Sequence, residues 1–271
     1  MKRYAAMLLI VIACGNARAQ EEEQDIDAHM AQTQRAIQAI YARLLDQHAD
    51  AMVNVDYVLT MRFMGQTNDQ DGNVTGVVVS PDGLILLTRS LVQPDLSSFI
   101  SPDSNFAPPE MEAHNFRVTV PATGAAFDAR LVARDPALDL MWIQLQDTDA
   151  AKFAWVDFSR SAGFAPGQLV YSIDRLSAWF GYAAHVLAGS VIGETTIPRR
   201  FGILAFAGSS GAMFDSEGKV LGLVVNPRDS EGAADHVGWM TMDLAPRPFL
   251  LPGDLVDKAN REALEVATAP D

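Results

Sequence analysis

The chain has 271 residues, 34 acidic against 20 basic side chains for a net charge of −14, 49% hydrophobic residues and a single cysteine. That length suits one large domain or two small ones around an ordinary core. The sign of the charge argues against nucleic acid and against anionic membrane surfaces as partners, and one cysteine excludes an intramolecular disulfide and a cysteine-built zinc site.

Targeting signals come first along the chain. Lys2 and Arg3 precede an unbroken apolar run from Met7 to Ala13, and Ala17-Arg18-Ala19 stands before Gln20. This is the three-part pattern of a secretory signal peptide spanning 1–19. The run falls short of the roughly 20 residues that a membrane helix needs. Val11-Ile12-Ala13-Cys14 also reads as a lipobox, in which Cys14 carries lipid and anchors the protein to a membrane. Both readings stand, and both place the protein outside the cytoplasm, periplasmic or secreted. No later stretch is long and apolar enough to span a bilayer.

Residues 20–51 read as an acidic leader followed by an amphipathic helix. From Ile26 the apolar residues Ile26, Met30, Ile37, Ile40, Tyr41, Leu44 and Leu45 recur at helical spacing. Such a helix packs on its own domain or drives self-association. At Met52 the period changes to two, and Val53, Val55, Tyr57, Leu59, Met61 and Phe63 describe a strand. Residues 52–251 then read as short strands separated by turns: Thr75–Ser80, Leu84–Thr88, Arg117–Val120, Phe127–Ala133, Leu140–Leu145, Leu169–Ile173, Val186–Ile192 and Val220–Val225. Asp71-Gly72, Pro81-Asp82-Gly83, Pro121 to Gly124 and Asp215 to Gly218 supply turn signals. Gln93 to Asn115, with four prolines, reads as a long surface loop. Many short strands without alternating helices indicate an all-β barrel or sandwich. Residues 252–271 close the chain with a helix and tail.

Two motifs invite chemistry. Asn68, Asp69, Asp71 and Gly72 suggest a calcium loop, but with Gly72 at its sixth position Thr67 and Val78 fall where carboxylates are needed. A polar hairpin turn explains the segment better, and neither metal nor cofactor is expected. Gly208-Ser209-Ser210-Gly211-Ala212 is sharper. Small residues around a serine allow a tight turn whose N–H groups converge on one point, as an oxyanion hole requires. A nucleophile elbow would have to open a helix after a strand. A turn and another strand follow instead, so that reading fails.

A different serine architecture fits. Thr75-Gly76-Val77-Val78-Val79-Ser80-Pro81-Asp82-Gly83-Leu84-Ile85-Leu86, Arg130 to Leu145 with Asp135-Pro136-Ala137-Leu138-Asp139-Leu140, and Gly208 to Phe214 followed by Lys219-Val220-Leu221-Gly222-Leu223 occur in the order of three family blocks. Together they resemble trypsin-like serine peptidases of the bacterial HtrA (Deg) type over about Met52 to Leu244. The resemblance implies an all-β, trypsin-like double β-barrel with a cleft between the barrels. It implies a triad aspartate at Asp139, a nucleophile at Ser210 and oxyanion-hole amides at Gly208 and Ser210. Too little sequence follows Leu244 for the PDZ module usual in that type, so none is expected.

The departures decide the function expected. In the family the catalytic histidine lies seven residues beyond the Asp-Gly of the first hairpin, and here that position is Ser90. A serine hydroxyl stays protonated near neutrality, whereas an imidazole with a pKa near 6.5 accepts a proton. Ser209 replaces the family's asparagine, and Ala212 and Met213 replace the glycine and proline after the nucleophile. His29, His48, His114, His185 and His236 are the other imidazoles, and His114, at the end of the proline-rich loop, is the best placed substitute. The leading expectation is an inactive peptidase homologue that binds a polypeptide or protein. The alternative is an active endopeptidase using Ser210 with His114 as displaced base.

Overall fold

The computed structural model describes residues 26–94, 107–148, 151–206, 208, 211–226 and 248–269. The signal peptide with Cys14, the acidic leader, Ser209, Ser210 and His236 lie outside the described residues, as does 95–106 of the proline-rich segment. The division between two compact units falls between Arg43 and Leu44, inside the first helix, α1 (26–48). Residues 26–39 of α1 are exposed along every face.

The second unit begins with the last turn of α1. Leu44 is fully buried there, and the His48 ring stacks on Phe214 at 4.2 Å while its Nε2 meets the Gly218 carbonyl at 2.8 Å. A 3₁₀ turn, Ala49–Ala51, leads into β1 (Met52–Phe63). β1, β2 (Gln66–Val78), β3 (Leu84–Thr88), β4 (Glu110–Val120), β5 (Ala125–Asp135) and β6 (Leu140–Leu145) close an antiparallel barrel in the order β1-β2-β3-β6-β5-β4. Its interior is the alternating apolar set of these strands, among them Val53, Val55, Ile85, Leu87, Val118, Met141 and Ile143.

A second closed barrel follows, built from β7 (Leu169–Arg175), β8 (Ala184–Thr195), β9 (Phe201–Phe206), β10 (Ala212–Phe214), β11 (Val220–Val225) and β12 (Phe249–Pro252). Its order is β10-β11-β12-β9-β8-β7, around a core that includes Val170, Val191, Leu204, Met213, Leu221 and Leu250. The closing helix, α3 (Gly253–Thr268), buries Val256, Ala259 and Ala263 and packs on β5 and β11. Asn260 accepts the Trp142 indole N–H at 2.8 Å, and Arg130 donates to the Ala267 carbonyl at the helix end. The trypsin-like double barrel with N- and C-terminal helices is therefore the fold.

Two turn expectations are corrected. Asp71-Gly72 is no hairpin tip: it lies inside β2, where Gly72 pairs with Tyr57 and a Cβ would stand 2.3 Å from the Tyr57 ring. The tip is Met64-Gly65, both at positive φ, the combination that a two-residue type I′ connection demands. The segment Gln93 to Asn115 is no continuous loop. Arg89–Val92 forms a short helix, α2, just before it, and β4 begins at Glu110 in register with Arg62 of β1. The alternation Met111, Ala113 against Glu110, Glu112, His114 already carries the strand's period, with Ala113 turned into the core.

Candidate functional site

The site is built where β3 and β6 run side by side. Thr88 pairs with Leu140, so the residue that opens β6 lies next to the one that closes β3. The turn before β6 is fixed by the Asp135 side chain, which accepts the Leu138 N–H at 3.0 Å. Asp139 then takes the left-handed conformation, φ 62, which an aspartate tolerates better than most residues. That twist carries its carboxyl group inward, where only 2% of the residue remains exposed. Its carbonyl accepts the Arg89 N–H at 2.8 Å, fastening the turn to the start of α2.

Three donors converge on the Asp139 carboxylate. Oδ1 accepts the Ser90 backbone N–H at 2.8 Å, and Oδ2 accepts the Ser90 hydroxyl at 2.8 Å and the Asn226 backbone N–H at 2.8 Å. Burial pushes the carboxyl above the usual aspartate range, and the bonds from Asn226 and Ser90, with the charge of Arg89, pull it back only in part. The Asn226 bond crosses between the barrels, because Asn226 follows β11. Thr88 makes a second crossing bond, its buried hydroxyl donating to the Val224 carbonyl at 2.8 Å. Asp139 is thus a tie between the barrels as well as a charge.

None of the four described histidines bonds to Asp139. His29 lies on the exposed part of α1, and His48 is engaged by Phe214 and Gly218. His185 pairs with Asp174 across β7 and β8. His114 sits within β4, its Nε2 at 2.8 Å from the Thr60 hydroxyl, which donates on to Asp69 at 2.6 Å. In barrel order β4 is three strands away from β3, the strand that leads to Ser90, so the fold does not bring His114 to Asp139.

In the second barrel, Gly208 is half-buried and Ser210 lies outside the described residues. Gly211 has φ 101, its carbonyl accepts the Val224 N–H at 3.0 Å, and a Cβ there would approach the Ser172 hydroxyl to 3.0 Å. Ala212, Met213 and Phe214 are fully buried as β10, between β11 and β7. Ala212 and Met213, where the resemblance expects glycine and proline, thereby serve the core of the second barrel.

Sequence reasoning missed Asn226, whose contribution is a backbone N–H and leaves no signature in residue type. It also missed that the Ser90 hydroxyl points at Asp139. The signal for that lay in the resemblance, which expects at Ser90 a residue that faces the aspartate. Chemically, the arrangement holds a buried carboxyl group by three hydrogen bonds, and among the described residues no imidazole is bonded to it.

The family model described as trypsin-like peptidase domain matches residues 74–223, more than half of the chain. No curated protein matches it.

Proposed function

The chain belongs to the trypsin-like peptidase family, and from that membership we propose that it is an exported homologue of the HtrA type that lacks peptidase activity and works by binding a polypeptide. The observation that carries the reading is the Ser90 hydroxyl on Asp139 at 2.8 Å. In a serine peptidase triad the aspartate holds a histidine in the tautomer that removes the serine proton. Here the same carboxyl group accepts from a hydroxyl and two backbone amides, and among the described residues no imidazole bonds to it. Losing the triad histidine costs about 10⁶ in turnover, leaving only the oxyanion hole and binding to act.

Binding is supported by the surface. The β7–β8 connection carries Leu176 at its base and Trp179 and Phe180 at its tip, with Trp179 89% exposed. From Leu176 to Ala184 no charged residue occurs, in a chain of strongly negative charge. Arg175 ties the base of this hairpin by donating to the carbonyls of Met52, Ala49 and Tyr182. An exposed apolar tip of this kind suits an extended apolar polypeptide better than water.

The test is reaction with a fluorophosphonate probe, alongside digestion of an unfolded protein such as reduced casein, for the parent chain, Ser210→Ala and Ser90→His. The parent is expected to be unlabelled and inert, and Ser90→His to gain labelling that Ser210→Ala abolishes when combined with it. Labelling of Ser210 in the parent together with casein cleavage would overturn the reading.

A further inference from the structure

The first barrel carries an open sheet edge. β1 and β2 form a long hairpin, and β4 flanks the far side of β1, where Val58, Thr60 and Arg62 pair with His114, Glu112 and Glu110. β3 pairs with β2 only at Val77 and Val78. From Gln66 to Asn73, β2 therefore has β1 on one side and, among the described residues, no strand on the other. An edge of these eight residues is roughly 27 Å long at about 3.4 Å per residue. Sheet edges are normally blunted by shortness, lysine, proline or a bulge. Here the register with β1 is unbroken from the Met52–Val77 pair to the Phe63–Gln66 pair, and residues 66–73 contain neither proline nor lysine. Every residue from Gln66 to Asp71 is exposed.

We infer that this edge takes up, by strand addition, an extended segment of a partner polypeptide that has basic residues at alternate positions. Main-chain groups along a free edge pair with any added strand, so the side chains choose the partner. Residues opposite one another in paired strands share a face. Asp69 and Asp71 therefore share one with Asp56 of β1 and with Glu110 and Glu112 of β4. Arg62 and His114 on that face are already engaged, Arg62 with Glu112 at 3.3 Å and the His114 Nε2 with the Thr60 hydroxyl at 2.8 Å. A strand laid beside β2 sets alternate side chains next to Asp69 and Asp71, where a lysine or arginine gains and an acid loses. The side chains between them fall level with Asn68, Gln70 and Gly72, which carry no charge, and so are neutral. The same carboxylates argue against other occupants. A second copy pairing through this edge brings Asp69 and Asp71 toward their own like charges, and Asp95 to Phe106 of this chain holds no basic residue. The inference is independent of whether the barrels retain activity and of the apolar tip between β7 and β8.

Titration of the full chain into a fluorescein-labelled Lys-Thr-Lys-Thr-Lys-Thr peptide, followed by anisotropy at low ionic strength, tests it. Saturable binding is expected. The same residues in the order Lys-Lys-Lys-Thr-Thr-Thr should bind about tenfold more weakly, because that order does not keep the basic side chains on one face of a strand. Alternate N–H groups of an added strand face β2. Of two backbone-methylated peptides, one blocked at the lysine amides and one at the threonine amides, one should therefore lose binding and the other keep it. Asp71→Lys should weaken binding about fivefold or more, with the near-ultraviolet circular dichroism of the barrels unchanged. No binding of the alternating peptide would overturn the inference, and so would binding that is indifferent to Asp71→Lys. Equal binding of the block-ordered peptide, or of both methylated peptides, would overturn it too, because attraction of charge alone would then explain the result.

Discussion

Removing the Ser90 hydroxyl tests the account of Asp139 directly. Asp139 is 2% exposed and its Oδ2 has two donors, the Ser90 hydroxyl and the Asn226 N–H, each at 2.8 Å. Ser90→Ala deletes one bond to an ionised, buried acceptor and leaves both backbone donors in place. Hydrogen bonds to charged groups contribute about 1.5–3 kcal/mol, so the variant is expected to lose that much. For a barrel unit of this size, each kcal/mol lowers Tm by about 2–4 °C. Asp139→Ala strands the Ser90 and Asn226 N–H groups and should cost about 2–5 kcal/mol. In the double variant the Ser90 hydroxyl has no partner to lose, so the two costs should fall short of adding by about 1–2 kcal/mol. The pH dependence gives a second reading. The folded-state pKa of Asp139 is raised, so the folded protein binds the proton more tightly than the unfolded chain. This group's contribution to stability therefore declines as pH rises from the ordinary aspartate value through the folded value. Ser90→Ala removes a bond that lowers this pKa, so the decline should extend to higher pH. Urea unfolding followed by near-ultraviolet circular dichroism between mildly acid and neutral pH measures all three effects. A Ser90→Ala variant within about 0.5 kcal/mol of the parent, additive with Asp139→Ala, would refute the reasoning.

Three further outcomes are expected. Burial holds the His48 imidazole below its ordinary value, only partly opposed by its bond to the Gly218 carbonyl, so the unfolded chain takes up the proton first on acidification. Its contribution to stability should be intact above about pH 6.5 and be lost as pH falls below it, and His48→Gln should flatten that part of the stability profile. His114→Ala should cost about 0.5–1.5 kcal/mol through the lost Thr60 bond and leave reactivity toward a fluorophosphonate the same as the parent's. Gly72→Ala places a methyl group against the Tyr57 ring and should destabilise by about 1–3 kcal/mol in urea unfolding, whereas Gly124→Ala, with open space around it, should show only the smaller strain of a positive φ.

The strands that the sequence revealed are those whose period is local. Leu84–Thr88, Leu140–Leu145 and Val220–Val225 are runs in which apolar, β-branched and turn residues fall in one place, and the structure has them with the same bounds. β9, β10 and β12 were not legible. β10 has three residues, too few to show a period, and β9 and β12 pair with each other across a long separation in sequence. Asp71-Gly72 misled because the pair is a turn signal by composition, and only the Tyr57 ring over Gly72 explains a glycine in mid-strand.

The sequence by itself determined the all-β class and the order of the three blocks that resemble the family, because each is a matter of residue type at a fixed spacing. Tertiary structure alone decided what Ser90 does. A hydroxyl that does not take up a proton near neutrality can still donate a hydrogen bond, and whether it meets a carboxylate depends on the β3–β6 register, the left-handed turn at Asp139 and the approach of Asn226 from the other barrel. The N-terminal helix divides in the same way. Its apolar periodicity was plain in the sequence, but that Ile26, Met30 and Ile37 lie uncovered is a property of where the chain folds, since burial depends on neighbours that no local pattern specifies.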